Sequence, residues 1–356
     1  MIGSIRHMLL VRALIAASGP FERVEVPFAE EEARPRALTV IHGGAGVGKS
    51  TLVQAIATTR PGHAVAQMPR GEGSAGVPHV ACEWLLGSDE PARPHVLRVA
   101  SPNVRYLAQD EDEALRRREQ AHFDKLAQEG GFAFLAVPSV RWFSRQPLVL
   151  SAPARTIARY DVRSPLALDD AARADLGRET KQALAYSAIT TALAGEKERE
   201  GRRFDLLGKA MRSAVDRLTD LVGFRYLGID PLSFEPVFTE QRERRVSFDA
   251  LPTRVRHLVA FAALGVRVLW AAYPDQDPRE SEGVIMIDDV ELYQDAPVLA
   301  RLAGAFREAL PAAQWIVTTA SPVLASSSAA SEVVALRRLH EGDAVAVFAG
   351  EEARTH

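Results

Sequence analysis

A chain with one cysteine, Cys82, can form no internal disulfide and no multi-cysteine metal site, which suits a reducing, cytoplasmic compartment. Cys82 itself is expected as a small buried apolar side chain. Lysine is nearly as scarce: Lys49, Lys125, Lys181, Lys197 and Lys209 are the only five among 43 Lys and Arg. The nine histidines contain no H-x-x-x-H or H-x-H pair, so a zinc site of that kind is not expected. A net charge of −3 and a pI near 6.3 leave no overall basic field of the sort that marks an obligate nucleic-acid binder. No unbroken apolar run reaches the roughly 18 residues of a membrane span, and Arg12 interrupts the apolar N-terminus, which therefore reads as a first strand rather than a signal peptide. What is there is a globular composition. The 356 residues are 47% hydrophobic and 25% charged with a mean hydropathy of −0.07, enough for two domains or one large α/β domain with an insertion.

Apolar residues over 4–14 and 22–28 flank the turn Gly19-Pro20 and predict a pair of strands. A β-branched run at 37–41 precedes a Gly-rich segment, and Leu52, Val53, Ala55 and Ile56 then suit one helical face: strand, loop, helix. Residues 79–86 and 95–100 predict an antiparallel hairpin beside the main sheet, 110–129 a charged helix, and 132–137 a buried strand closed by Pro138. From 166 to 222 the pattern is helical, with Leu207, Met211, Val215, Leu218 and Val222 forming one apolar stripe. The last third returns to α/β: helices near 252–272 and 296–309, strands at 283–287, 314–318, 332–337 and 343–348. The first two of these strands are apolar enough to be parallel and covered on both faces. The expected organisation is an N-terminal part over 1–165, a helical insertion over 166–235 and a C-terminal part over 236–356.

The strongest motif is Gly43-Gly44-Ala45-Gly46-Val47-Gly48-Lys49-Ser50, which matches G-x-x-x-x-G-K-[ST]. The glycines let consecutive backbone N–H groups face phosphates, Lys49 would reach the β/γ-phosphates, and the Ser50 hydroxyl would ligate Mg²⁺. The helix beginning there points its positive end at the same anion. Such a loop needs a carboxylate at the end of a nearby buried strand to hold Mg²⁺. Val284-Ile285-Met286-Ile287-Asp288-Asp289 supplies Asp288 for that role, with Asp289 placed to polarise an attacking water and Glu291 as a spare carboxylate.

The phosphate loop, the segment VSFDALPTRVRHLVAFAAL, the segment SEGVIMIDD through TTASP, and their order resemble the ABC-type ATPases of the RecF/SMC/OLD group, within the AAA-type P-loop NTPases. The resemblance covers residues 1–60 and 245–325. It implies an α/β ABC-ATPase-like head with a mixed sheet, an antiparallel β subdomain and a helical insertion. By the same likeness Gly43 to Thr51 form the Walker A loop, Asp288 is the Walker B aspartate, and Asp289 stands for the catalytic glutamate. Leu251 to Val255 fall on the signature loop, where Thr253 and Arg254 would meet a partner's nucleotide, and Ala320 falls on the switch histidine. ATP and Mg²⁺ are the implied cofactors and a homodimer the implied assembly, its nucleotide state driving a conformational change that acts on DNA or a partner protein. Three departures bear on turnover: Pro252 has no N–H to offer, Ala320 has no side-chain hydrogen-bonding group, and Asp289 is one methylene shorter than Glu. No secure Q-loop glutamine is found.

Two other functional classes stay open: an ATP-binding scaffold or regulatory subunit with little hydrolysis, and a P-loop kinase of a small substrate with the helical stretch as its lid. Arg141-Trp142-Phe143-Ser144-Arg145 interleaves cations and aromatics as a base-stacking segment does, although packing between head and insertion is the expected role. Arg116–Arg118 and Arg242–Arg245 are flanked by acids, which weakens a nucleic-acid role.

Overall fold

The computed structural model describes residues 8–30, 34–59, 78–86, 96–100, 118, 121–125, 127, 132–148, 150, 152, 173–194, 198–240, 244–339 and 344–355. A six-stranded mixed sheet runs through its centre. Its strands are β3 (Leu38–His42), β6 (Phe134–Val137), β12 (Gly283–Ile287), β13 (Ala313–Thr319), β14 (Val333–Arg338) and β15 (Val345–Ala349), in the order β15-β14-β3-β13-β12-β6. Only the β14–β15 pairing is antiparallel. A separate antiparallel sheet holds β1 (Met8–Ser18), β2 (Phe21–Pro27), β4 (His79–Leu86) and β5 (Val96–Ala100) in the order β2-β1-β4-β5. The strands expected around Gly19-Pro20 and over 79–100 thus form one sheet.

Every residue of β12 and β13 is buried, and side-chain alternation divides them between two cores. Ile285, Ile287, Trp315 and Val317 face one core, and Val284, Met286 and Ile316 face the other. The second core takes in helix α1 (Lys49–Thr58) and the antiparallel sheet. Gln314 stitches the two sheets together: its amide donates to Leu10 O at 2.8 Å and Phe28 O at 3.3 Å, and its carbonyl accepts from Leu10 N at 2.8 Å. Such a buried amide is tolerated because its donors and acceptor are satisfied.

The first core lies under α2 (Leu176–Leu193), α3 (Glu198–Thr219), α4 (Thr253–Ala272) and α5 (Ala296–Ala309). The stripe Leu207, Met211, Val215 and Leu218 is fully inside it. Helix α3 stops at Thr219, and Val222 belongs to a short 3-10 turn closed by Gly223 at φ +75°. Helix α4 is long and apolar enough by length and composition to cross a membrane, which a search for unbroken apolar runs passes over. In this fold 89% of its apolar window is buried, and its internal Arg267 is met by Glu179 of α2 at 2.7 Å.

A three-stranded antiparallel sheet of β9 (Phe224–Ile229), β10 (Pro236–Glu240) and β11 (Arg245–Ser247), absent from the sequence expectations, follows α3. Strands β7 (Val140–Trp142) and β8 (Arg173–Asp175) make a small parallel pair. Short helices α6 (Pro322–Ser327) and α7 (Glu352–Thr355) complete the C-terminal part. The expected helix at 110–129 lies largely outside the described residues, although 121–125 are helical. The basic cluster Arg116–Arg118 lies outside them except for Arg118, and of the cluster Arg242–Arg245 the residues 244 and 245 are described.

Candidate functional site

Strand β3 delivers the chain to the loop 43–48, and α1 begins at Lys49. Gly43 N donates to Thr319 O at 3.1 Å and anchors the loop to β13. Gly48 precedes the helix at φ +94°, and a Cβ there would stand 2.6 Å from both Phe21 Cζ and Pro20 Cγ, so the turn between β1 and β2 presses directly on the loop. Among the described residues, no backbone N–H from Gly44 to Gly48 donates to a backbone carbonyl. Together with the unpaired first turn of α1, these are donors suited to an anion.

Lys49 is buried, and its Nζ donates to Gly43 O and Gly44 O at 3.0 Å each. A cleft of about 490 Å³ opens over the loop, the size of a small-molecule site. Pro20, Ala45, Gly46, Gly48, Lys49, Ser50 and Thr51 line one side, and Asp289, Glu291, Leu292 and Ala320 line the other. Val47 turns inward to the core. Arg338, from β14, donates to Gly46 O at 3.1 Å.

Across the cleft, β12 ends in Asp288 and Asp289. Asp288 is 2% exposed, and its Oδ1 accepts a hydrogen bond from Thr318 Oγ1 at 2.5 Å. Asp289 takes φ +44°, and its Oδ1 lies 4.0 Å from Lys49 Nζ. Burial, with Asp288 and Glu291 beside it, raises its carboxyl above the usual range, while Lys49 and Arg141 oppose the shift. The Ala320 side chain offers nothing, yet its backbone N–H donates to Glu291 Oε1 at 2.6 Å. The His42 imidazole, at the end of β3, is pushed below its usual range by burial first and then by Arg337, whose Nη2 lies 3.2 Å from Nδ1. Among the described residues, no glutamine lines the cleft.

The donor set fits Mg·ATP: a loop of free N–H groups, a lysine, a hydroxyl at the helix start, and two carboxylates opposite. Lys49, Ser50 and Asp289 line one cleft although they come from elements far apart in sequence, and Asp288 lies buried next to Asp289 at the end of β12. Thr253 and Arg254 are not brought to that cleft. Pro252 caps α4, Thr253 Oγ1 accepts from Arg256 at 3.0 Å, and Arg254 pairs with Asp295 at 3.1 Å. Arg254 lines a different cleft of about 340 Å³ with Asp220, Gly223, Asp295 and Arg301.

Within the segment 141–145, Arg141 and Phe143 pack inward, while Trp142 is 47% exposed and Arg145 is exposed. Phe143 contacts Phe248 and His257 with ring centroids at 6.0 and 4.9 Å. Burial, then the Arg141 charge, pushes the His257 imidazole down to about 4. Arg141 is buried under Phe261, and its guanidinium is pushed down to about 10 by that burial. It donates to Asp288 O at 2.5 Å and Asp289 O at 2.8 Å. Sequence reasoning missed this use of Arg141, the part played by Thr318, and the Arg338 contact. The available signal was an arginine placed just after a buried strand that ends in proline.

No protein-family model matches this chain, and no curated protein matches it by sequence. Solved structures do. One is the crystal structure of an Smc head bound to the C-terminal winged-helix domain of ScpA, with TM-score 0.54 and 14% identity over 98% of this chain and 99% of that one. Another is the Pyrococcus furiosus Smc head domain with an extended coiled coil, bound to the C-terminal domain of ScpA, with TM-score 0.54 and 15% identity over 98% of each chain. At this identity the likeness speaks to fold, and the chain has the mixed α/β fold of an Smc head domain.

Proposed function

We propose that this chain is a Mg²⁺-dependent ATP-binding head, a slow ATPase whose nucleotide state governs the pairing of two copies and a conformational change delivered to DNA or a partner protein. The observation that carries this is the meeting of the phosphate loop and the start of α1 with Asp289 across one cleft, with Lys49 Nζ 4.0 Å from Asp289 Oδ1 and Asp288 buried beside it. Bound Mg·ATP would supply the polarised phosphates. The chain's own residues do the rest: the loop N–H groups and Lys49 hold phosphate oxygens, Ser50 and Asp288 hold the metal, and Asp289 positions water. Thr253 and Arg254, away from their own cleft, would meet the nucleotide of a second copy. The helices of the insertion, α2 and α3, pack on α4 and would carry the change outward. The reading places the protein in the cytoplasm.

A second reading, a nucleotide-gated scaffold that barely hydrolyses ATP, is favoured by Pro252 at the head of α4 and by the methyl side chain of Ala320. Single-turnover and steady-state hydrolysis of Mg·ATP separate the two, run beside Lys49→Ala and Asp289→Asn with binding and oligomeric mass recorded. The ATPase reading expects hydrolysis that Lys49→Ala abolishes and an ATP-bound dimer trapped by Asp289→Asn. Lys49-dependent binding with turnover no faster than Asp289→Asn selects the scaffold. A wild-type protein that binds no ATP overturns both.

A further inference from the structure

The turn after β12 is unusual in its backbone. Asp289 at φ +44° and Tyr293 at φ +67° are both non-glycine residues in the left-handed region, within five residues of each other. Such conformations persist only where the surroundings over-determine them, and here they do. Strands β6 and β13 flank β12, and the turn is held from both sides. From the β6 side, Val137 O accepts Asp288 N–H at 2.9 Å. The Arg141 fork donates to Pro138 O at 2.9 Å, Asp288 O at 2.5 Å and Asp289 O at 2.8 Å. From the β13 side, the Thr318 hydroxyl accepts Asp289 N–H at 2.8 Å and donates to Asp288 Oδ1 at 2.5 Å, while Thr318 O accepts Val290 N–H at 2.9 Å. The N–H and C=O of both aspartates and the N–H of Val290 are all engaged.

We propose that Arg141 and Thr318 are the positioning residues of this site, a two-sided clamp that fixes the turn and with it the direction of the Asp288 and Asp289 carboxylates for Mg²⁺. The inference rests on the ATP-binding reading above. It goes further by assigning the aim of the carboxylates to two residues that touch neither phosphate nor metal. A hydroxyl has one proton, and Thr318 spends it on Asp288 Oδ1, so one rotation of that carboxylate is held. The arginine fork is planar and reaches two successive carbonyls at once, which a lysine ammonium, as a point charge, cannot reproduce. Both residues are buried, Thr318 at 0% and Arg141 at 8% exposure, so water does not compete for these bonds.

The test uses Thr318→Val, which keeps the shape and removes the hydroxyl, Thr318→Ser, which restores it, and Arg141→Lys, which keeps the charge. Two readouts are taken on the full chain. The first is amide hydrogen exchange over residues 287–292 without nucleotide. Thr318→Val is expected to speed exchange at Asp289 at least tenfold, Thr318→Ser to return it to within twofold of wild type, and Arg141→Lys to loosen the same peptide. The second is ATP binding by calorimetry, in EDTA and at graded Mg²⁺. Thr318→Val should leave metal-free ATP affinity within twofold of wild type and raise the Mg²⁺ concentration needed for half-maximal enhancement at least fivefold, with Thr318→Ser again restoring it. Unchanged exchange in Thr318→Val overturns the clamp whether or not ATP binds. Loosened exchange with an unchanged Mg²⁺ requirement, or a serine that fails to rescue, overturns its role toward the metal. If the wild type binds no ATP while exchange responds as expected, the ATP-binding reading fails, and the metal role fails with it.

Discussion

Gly48→Ala tests the join between the phosphate loop and the antiparallel sheet, and its cost can be worked from two terms. At φ +94° an L side chain enters the left-handed region, at ~1–2 kcal/mol. The new Cβ would also stand 2.6 Å from Phe21 Cζ and Pro20 Cγ. Phe21 is 1% exposed and the proline ring is rigid, so relief requires backbone movement, which for one added methyl in a packed site costs ~1–3 kcal/mol. The sum is ~2–5 kcal/mol, and for a chain of this length, with an unfolding entropy of ~2.1 cal/mol/K per residue, the melting temperature should fall by ~3–7 °C.

Thermal denaturation with and without Mg·ATP is the assay, and the shift that ATP gives to wild type should shrink or vanish in the variant. Gly44→Ala is the control, because a Cβ there meets nothing within 4 Å and the backbone is not left-handed. It should leave the apo melting temperature within about 1 °C of wild type. In a Phe21→Leu background the Gly48→Ala penalty should shrink by at least ~1 kcal/mol, since residues in contact do not add. A Gly48→Ala protein that melts within about 1 °C of wild type, or whose penalty is the same in both backgrounds, refutes the reasoning.

Asp289→Asn should stabilise the fold with a definite pH dependence. The folded-state pKa of Asp289 is raised, so ionising it opposes folding. The gain from Asn is therefore absent below the unfolded carboxylate range and grows as pH rises through the folded value, as urea titrations between pH 3.5 and 7 would read. Lys181 is 1% exposed and donates to Gln146 O, Glu235 and Asp249 at 2.8, 3.3 and 3.1 Å. Lys181→Met leaves two carboxylates facing each other and should cost ~3–5 kcal/mol in urea unfolding. Adding Glu235→Gln and Asp249→Asn should recover most of that loss. Cys82 is fully buried and its thiol is pushed up to about 12 by that burial. It should resist alkylation at pH 8 in the native protein and react within minutes once urea unfolds it.

Much of the scaffold was legible in local pattern. The run around Gly43–Ser50 states its own conformation because glycine spacing and the strand and helix beside it are contiguous. The continuous apolar runs at 283–287 and 314–318 announce covered parallel strands. The stripe from Leu207 to Leu218 fixes the buried face of α3. What pattern could not reveal is pairing across distance. Arg141 grips carbonyls nearly 150 positions away and Thr318 a carboxylate 30 positions away, and local pattern does not name those partners. The sheet of β9 to β11 escaped for another reason. Its strands are three to six residues long and only partly buried, so alternation is weak. Thr253 and Arg254 were placed by likeness alone; within one chain neither lines the cleft over the phosphate loop, and Arg254 lines another.

The strand order β15-β14-β3-β13-β12-β6 has a consequence for biosynthesis. Strand β3 carries the phosphate loop, yet both of its neighbours in the sheet, β13 and β14, belong to the last fifth of the chain. At ribosomal rates of ~5–20 residues per second, the ~300 residues from β3 to the end of β14 take ~15–60 s to synthesise. Throughout that interval the N-terminal segment has an apolar strand without its two sheet neighbours and a loop without its anchors to Thr319 and Arg338. A nascent or prematurely terminated chain should therefore be blind to nucleotide and a client for chaperones. The capacity to bind ATP would then arrive abruptly, once β13 and β14 have both been made.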